Sequence, residues 1–297
     1  MGTFLQTLFV GLRLGSVYAL IALGYTMVYG IIRLINFAHG DIIMVGGYTL
    51  VTVPILTAAG LPAWTAVILG FVICALVGVA VELIAYRPVR KKGTNMSALI
   101  TAIAMSLLLE NLAQAIPAIG PDPKIASQIF SSGGITVSGV MLDYKTIYTI
   151  IISALIMCAL YLFTQKTKMG RAMRCVSEDK EASILMGVNV NTTIVATFAI
   201  GAGLAAVASL MYVAQYPKVY TTMGSLLGLK AFVAAVLGGI GIVPGAMLGG
   251  LVIGLVESFS TSYISSSLSD TFVFLILIVV LIIKPAGILG KNVGEKV

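Results

Sequence analysis

Hydrophobic residues fall into long runs at roughly 4–32, 41–59, 62–86, 96–116, 146–164, 192–214, 229–262 and 268–284, separated by stretches that hold most of the charge. A helix of about 20 apolar residues crosses a hydrocarbon core, so each run is a candidate span. Runs of this length exclude a transmembrane β-barrel, whose strands alternate at every second residue. The pattern predicts an all-α polytopic membrane protein of about eight to ten helices, forming a single transmembrane domain over 1–297.

The 229–262 run is too long for one crossing. It holds Gly238-Gly239-Ile240-Gly241-Ile242-Val243-Pro244-Gly245, which cannot sustain a regular helix, so two segments at about 229–241 and 244–262 are expected. A matching interruption is expected near the front, at Asn36-Phe37-Ala38-His39-Gly40 followed by Gly46-Gly47. Broken backbone inside a membrane must be buried in protein or line water, and paired breaks point to a transport path. Gly11/Gly15, Gly245/Gly249 and Gly250/Gly254 are small-xxx-small pairs suited to close helix packing. Pro, Gly and Ser in 117–145, followed by Ile135-Thr136-Val137, predict a loop with a short hairpin.

One polar segment stands apart. Ser177–Gly187, SEDKEASILMG, reads as a single short helix capped by Ser177, with Glu178 and Asp179 at its positive end and Gly187 closing it. Ala182, Leu185 and Met186 leave one small apolar face. A helix this short is unstable alone in water, which points to a soluble partner docking on it.

Charge then sets topology. The chain has 297 residues, 59% hydrophobic and 10% charged, with formal net charge +7. Arg87, Arg90, Lys91 and Lys92 occupy one loop, Lys166, Lys168, Arg171, Arg174 and Lys180 a second, and Lys284, Lys291 and Lys296 the C-terminal end. The positive-inside rule places all three in the cytoplasm, with the N-terminus, 117–145 and 215–228 outside. No basic patch is interleaved with base-stacking aromatics, so nucleic acid is not an expected partner. The first run is too long for a signal-peptide core and reads as a retained helix. Cys74, Cys158 and Cys175 lack the spacing of a disulfide framework or zinc site.

Catalytic chemistry has little to work with. There is one histidine, no H-E-x-x-H, and no G-x-x-x-x-G-K-[ST], so the chain is read as a transport protein that binds no nucleotide, metal or other cofactor of its own. Ionisable residues within spans are candidate functional groups. Glu110, beside Asn111 and Gln114, lies near an outer end, and Glu257 reads as close to the cytoplasmic side. Arg13 and Glu82 read as snorkelling from span ends, and Lys230 as an anchor at the outer interface. His39 suits a hydrogen bond that pins bent backbone, or a proton relay.

These stretches together resemble the LivH-type permease of branched-chain amino acid ABC importers. The resemblance is carried by Tyr18-Ala19-Leu20 through Tyr29-Gly30, the 36–40 stretch, Tyr86-Arg87-Pro88-Val89-Arg90 and Met169-Gly170-Arg171-Ala172-Met173-Arg174. It continues in Lys230-Ala231-Phe232, 234–241, Pro244-Gly245-Ala246-Met247 and Pro285-Ala286-Gly287-Ile288-Leu289-Gly290. In that class a cytoplasmic E-A-A-x-x-x-G loop meets the ATPase. Glu181-Ala182-Ser183 and Gly187 fit its start, whereas Thr197, Ala199 and Ile200 replace its I-x-L-P continuation.

The resemblance implies an ABC importer permease-like bundle in the bacterial inner membrane. Its partners would be a second related permease, two cytoplasmic ATPases carrying the ATP, and a periplasmic or lipid-anchored substrate-binding protein. It assigns ATPase coupling, within a loop at about 165–191, to Gly170, Arg171, Arg174, Glu178, Asp179, Glu181, Ala182 and Gly187. Translocation or helix breaking falls to Asn36, His39, Gly40, Glu110, Gly238, Gly239, Gly241, Pro244 and Glu257. Relatives of this kind also serve urea and short amides. An ion-coupled carrier using Glu110 or Glu257 is the main alternative, ahead of a channel or a membrane enzyme.

Overall fold

The structure, a computed structural model, describes residues 2–290 apart from 118, 128, 131, 132, 138 and 139, and apart from the side chains of 92, 95 and 137. The tail lysines Lys291 and Lys296 lie outside the described residues. The elements are α1 (Gly2–Ile32), α2 (Ala38–Val51), α3 (Val53–Ala58), α4 (Thr65–Val81), a π-helical turn (Glu82–Tyr86), α5 (Arg87–Lys92) and α6 (Asn95–Ala115). They continue as α7 (Tyr144–Lys166), α8 (Lys168–Glu178), α9 (Lys180–Leu185), α10 (Val190–Gln215), α11 (Met223–Gly238), α12 (Val243–Tyr263) and α13 (Ser269–Ile283). Among the described residues, 8 helical segments are long and apolar enough to span a membrane, and α11 is a shorter apolar helix.

α1 and α10 form the centre, whereas α6 and α13 lie at the periphery with most of their surface uncovered. α1 is buried from Gly15 through Val28. In lipid, helices associate by close packing and interhelical hydrogen bonds rather than by escape from water, and small residues allow that approach. Gly11 and Gly15 of α1 therefore meet Leu255 and Leu251 of α12, and Gly250 and Gly254 meet Ala19 and Gly15. Gly245 and Gly249 pack against Gly238 and Ala234 of α11 in the same way. All three expected glycine pairs are thus helix contacts.

The 229–262 run is interrupted where expected. Gly239 (φ 105°) and Gly241 (φ 93°) occupy backbone conformations that side chains disfavour, and Pro244 sits in the first turn of α12, where its missing N–H is no loss. α11 starts earlier than hydropathy suggested, at Met223. The front break also exists: α1 ends at Ile32, Arg33 has φ 55°, and α2 restarts at Ala38. Gly40 then lets α2 touch the backbone of α11 at Gly224 and Gly228. The expected extension of that break to Gly46-Gly47 is corrected. Both lie inside a continuous α2, because packing on Ser209 and Val219 outweighs the roughly 1 kcal/mol helix penalty of each glycine.

Chain ends and loops sort into two sides. On one, Arg33 reaches the Ser177 carbonyl at 3.5 Å, and Ile288 donates to the Leu237 carbonyl at 2.8 Å. This side holds the basic loops, so the charge rule makes it cytoplasmic. On the other, the expected hairpin forms from β2 (Gly134–Val137) and β3 (Val140–Asp143). A pairing not foreseen, β1 (Lys124–Ile125) with β4 (Lys218–Val219), ties that outer loop to the α10–α11 connection.

Candidate coupling and translocation sites

The cytoplasmic loop is two helices, not one. Thr167 caps α8 by accepting from the Gly170 amide at 3.0 Å. Ser177 belongs to this helix, its hydroxyl donating to the Arg174 carbonyl at 2.7 Å, so its expected capping role is corrected. The chain turns at Asp179, in extended backbone, whose carboxylate accepts from the Glu181 and Ala182 amides at 2.8 and 3.0 Å and starts α9. A carboxylate there binds free amides and the positive helix end more strongly than a hydroxyl. α9 closes at Gly187, in left-handed backbone (φ 78°), with Val188 donating to the Ser183 carbonyl at 2.9 Å. Replacing Asp179 with Ala should remove about 1 kcal/mol from α9; faster amide exchange over 180–186 with unchanged exchange in α10 is the expected result.

α8 turns Gly170, Met173 and Val176 inward. Gly170 lies where a side chain would meet the Phe163 and Thr164 carbonyls, so it sets the α7–α8 crossing. Arg174 folds back on Gln165, with bonds of 2.7 and 3.1 Å, while Arg171, Glu178 and Glu181 are exposed. Lys180 stands near Arg33 and Arg90; burial first, then these like charges, hold its ammonium below the usual lysine pKa. α9 turns Ser183 inward and leaves Leu185 88% and Met186 83% exposed, with Ile184 beside them. The expected apolar face is present, and its large side chains have no cover among the described residues.

A cavity of about 250 Å³ joins this loop to the second break. Gly170, Met173, Arg174 and Ser177 form one wall, and Gly241, Ile242, Val243 and Pro244 another, with Thr26 and Gly30 of α1 between. Two sets of residues that are far apart in sequence are neighbours in the fold.

The first break also meets the loop, through Arg33 at Ser177, whereas Asn36 and His39 are buried in the bundle. Asn36 is buried and accepts from the Tyr86 hydroxyl at 3.1 Å. His39 packs edge-on to Tyr25 at 4.7 Å in the space left by Gly24, and its Nε2 has no hydrogen-bond partner among the described residues. Glu110 accepts from the Ser225 hydroxyl of α11, and Gln114 donates to Thr221 at 3.4 Å. Asp41, buried on α2, faces Ser106 and Glu110. It was missed, although an acidic residue inside an apolar run was the available signal.

Three expectations are corrected by side-chain pairing. Lys230 is buried, not an interfacial anchor: its ammonium bridges Glu257 of α12 at 2.7 Å and Asp270 of α13 at 2.6 Å. Glu257 lies in the outer half, not near the cytoplasm, since the next residue, Ser258, donates to the Thr7 carbonyl at the outer end of α1. Its other oxygen accepts from the Tyr18 hydroxyl at 2.7 Å. Arg13 and Glu82 do not snorkel. Arg13 is buried and donates to Thr146 at 3.1 Å, and Glu82, fully buried in the π-helical turn, pairs with Arg90. Partners inside the bundle remove the need to reach the interface.

A multi-span helical bundle with two interrupted stretches and an exposed cytoplasmic helix fits a membrane transport permease. A family model described as branched-chain amino acid transport system / permease component matches residues 7–281, and the chain belongs to that family. It is accordingly a LivH-type ABC transporter permease subunit, multi-pass in the inner membrane and not itself an enzyme.

The chain is 41% identical to the high-affinity branched-chain amino acid transport system permease protein BraD of Pseudomonas aeruginosa, over 99% of this chain and 98% of that one. It is 42% identical to the corresponding LivH of Escherichia coli K12, again over 99% and 98%. A probable LivH of Methanocaldococcus jannaschii is 29% identical over 93% and 90%.

Proposed function

We propose that this chain forms, as one transmembrane domain, half of the membrane path of an importer for branched-chain amino acids, the other half being a second, related permease. Two cytoplasmic ATPases dock on the 165–191 loop, and a periplasmic or lipid-anchored binding protein delivers the substrate from outside. The observation that carries the coupling assignment is the uncovered Leu185–Met186 pair on a helix too short to stand alone, packed on α8, which faces the second break across a shared cavity. Glu181, Ala182 and Gly187 shape that helix, and Gly170, Arg171, Arg174, Glu178 and Asp179 position it. ATP-driven movement of α9 is passed to α8, which forms one wall of the cavity, and from there to 241–244, where glycine permits a hinge. Relatives named for branched-chain amino acid transport support the substrate class.

Reconstitution with all partner subunits tests this reading. Uptake of labelled leucine, isoleucine or valine should require ATP inside, the ATPases and the binding protein together. Uptake by this chain alone, driven by a sodium or proton gradient, would sink it.

A further inference from the structure

α4 does not run regularly into the first cytoplasmic loop. Its continuation, Glu82–Tyr86, is a π-helical turn that leads straight into α5. Pro88 has no amide to give the Ile84 carbonyl, so a regular α-helix is interrupted there, and single π-helical turns of this kind recur at functional sites. The turn faces Glu82, Ala85 and Tyr86 inward, and Glu82 pairs with Arg90 across it. The Tyr86 ring packs 5.4 Å from that of Phe198 on α10. Its hydroxyl is shared between the Ile35 carbonyl and the Asn36 side chain, both at 3.1 Å.

Those two acceptors belong to the first break. The break is thus gripped from both cytoplasmic loops: Tyr86 holds Ile35 and Asn36 from the base of one, and Arg33 reaches the Ser177 carbonyl of α8 in the other. Among the described residues Arg33 is the one non-glycine residue with positive φ, a conformation that persists only where surrounding contacts hold it.

The first break also faces the second. Tyr29, Arg33 and Ile35 line one part of a cytoplasmic cavity of about 770 Å³, and Ile240, Gly241 and Ile242 line another. Beyond the first break, Gly40 of α2 lies against the backbone of Gly224 and Gly228 on α11, the helix that ends at the second break. Backbones packed this closely move together, so α2 cannot tilt without displacing α11.

We propose that Tyr86 is a positioning residue of the transport cycle: its hydroxyl fixes the first break, which turns as a second hinge in step with 241–244 when the coupling loop moves. The inference rests on the ATP-driven import reading and adds to it a second hinge and the residue that holds it. Load on α8 reaches the break through Arg33, and Tyr86 ties Ile35 and Asn36 to the end of α4, so that α2 tilts as a body. Without the hydroxyl the break yields locally, and ATP is hydrolysed with less substrate moved.

The test uses the full importer in vesicles and reads leucine transported per ATP hydrolysed, a ratio that a mere loss of folded protein does not change. Tyr86→Phe keeps the ring against Phe198 and removes only the hydroxyl. It should lower the ratio about fivefold, the size of one net hydrogen bond. Arg33→Gly, which suits φ 55° and removes the guanidinium, should lower it as well. Both act on one hinge, so the double variant should be no worse than the poorer single variant. A ratio unchanged by Tyr86→Phe, or losses that multiply in the double variant, would overturn the positioning role. If Tyr86→Phe does not insert, Arg33→Gly decides alone, and an unchanged ratio there overturns the second hinge. The unaltered importer separates the two readings. ATP-driven leucine uptake by it, with an unaffected variant ratio, overturns the role of Tyr86 alone; absent uptake overturns the import reading and the hinge that rests on it.

Discussion

Replacing Leu185 with Asp should abolish ATP-driven uptake and release the ATPase subunits, while the permease still inserts and folds. Leu185 is 88% exposed, so its own fold loses almost nothing, whereas a docked partner would have to bury a charge where an apolar side chain had been. Central apolar anchors of interfaces cost about 2–4 kcal/mol when removed, equivalent to roughly 30- to 1,000-fold weaker binding. Co-purification of the ATPases in detergent and uptake in vesicles are the measurements.

Smaller losses are expected nearby. Gly187→Val forces a β-branched residue into φ 78° at a cost of about 1–2 kcal/mol, with no neighbour within 4 Å to add a clash. Glu181→Lys reverses a charge in the first turn of α9 and removes up to about 1 kcal/mol. Wild-type ATPase binding by Leu185→Asp would show α9 to be a passive linker.

Lys230→Met should be the most destabilising single change in the outer half. It leaves Glu257 without its cation, and breaking a buried pair from one side costs about 3–5 kcal/mol, an upper bound here because Asp270 is 44% exposed and solvated. Thermal unfolding in detergent should fall accordingly. The double variant Lys230→Met/Glu257→Gln should recover part of the loss, because it removes one of the stranded charges along with the cation. A Tm unchanged by Lys230→Met would mean that water already solvates the cluster.

The spans were legible because lipid imposes length and apolarity on each helix independently. The break at 239–242 was legible because glycine and proline act through local backbone preference. The positions of Lys230, Glu257, Arg13 and Glu82 were not. Lys230, Glu257 and Arg13 are decided by partners far along the chain, such as Thr146 for Arg13, and Glu82 by Arg90 just past the π-helical turn, and hydropathy carries no trace of either kind of pairing. Local reading also failed once at short range: Ser177 and Asp179 are both good caps, and only the extension of α8 from Thr167 decides between them. On the candidate sites, the loop residues were legible as a group. Their contact with the second break, and the place of Asp41 beside Glu110, depend on tertiary packing.

The centrality of α1 has a consequence for how the protein is made. α1 is buried from Gly15 to Val28, yet its main packing partner, α12, is made long after it. Ser258 and Thr7 are 251 residues apart, a delay of roughly 10–50 s at bacterial or eukaryotic elongation rates of about 5–20 residues per second. During that interval the glycine-lined face of α1 sits bare in lipid, and Arg13 waits 133 residues for Thr146. The bundle therefore cannot close around α1 until α12 has been made.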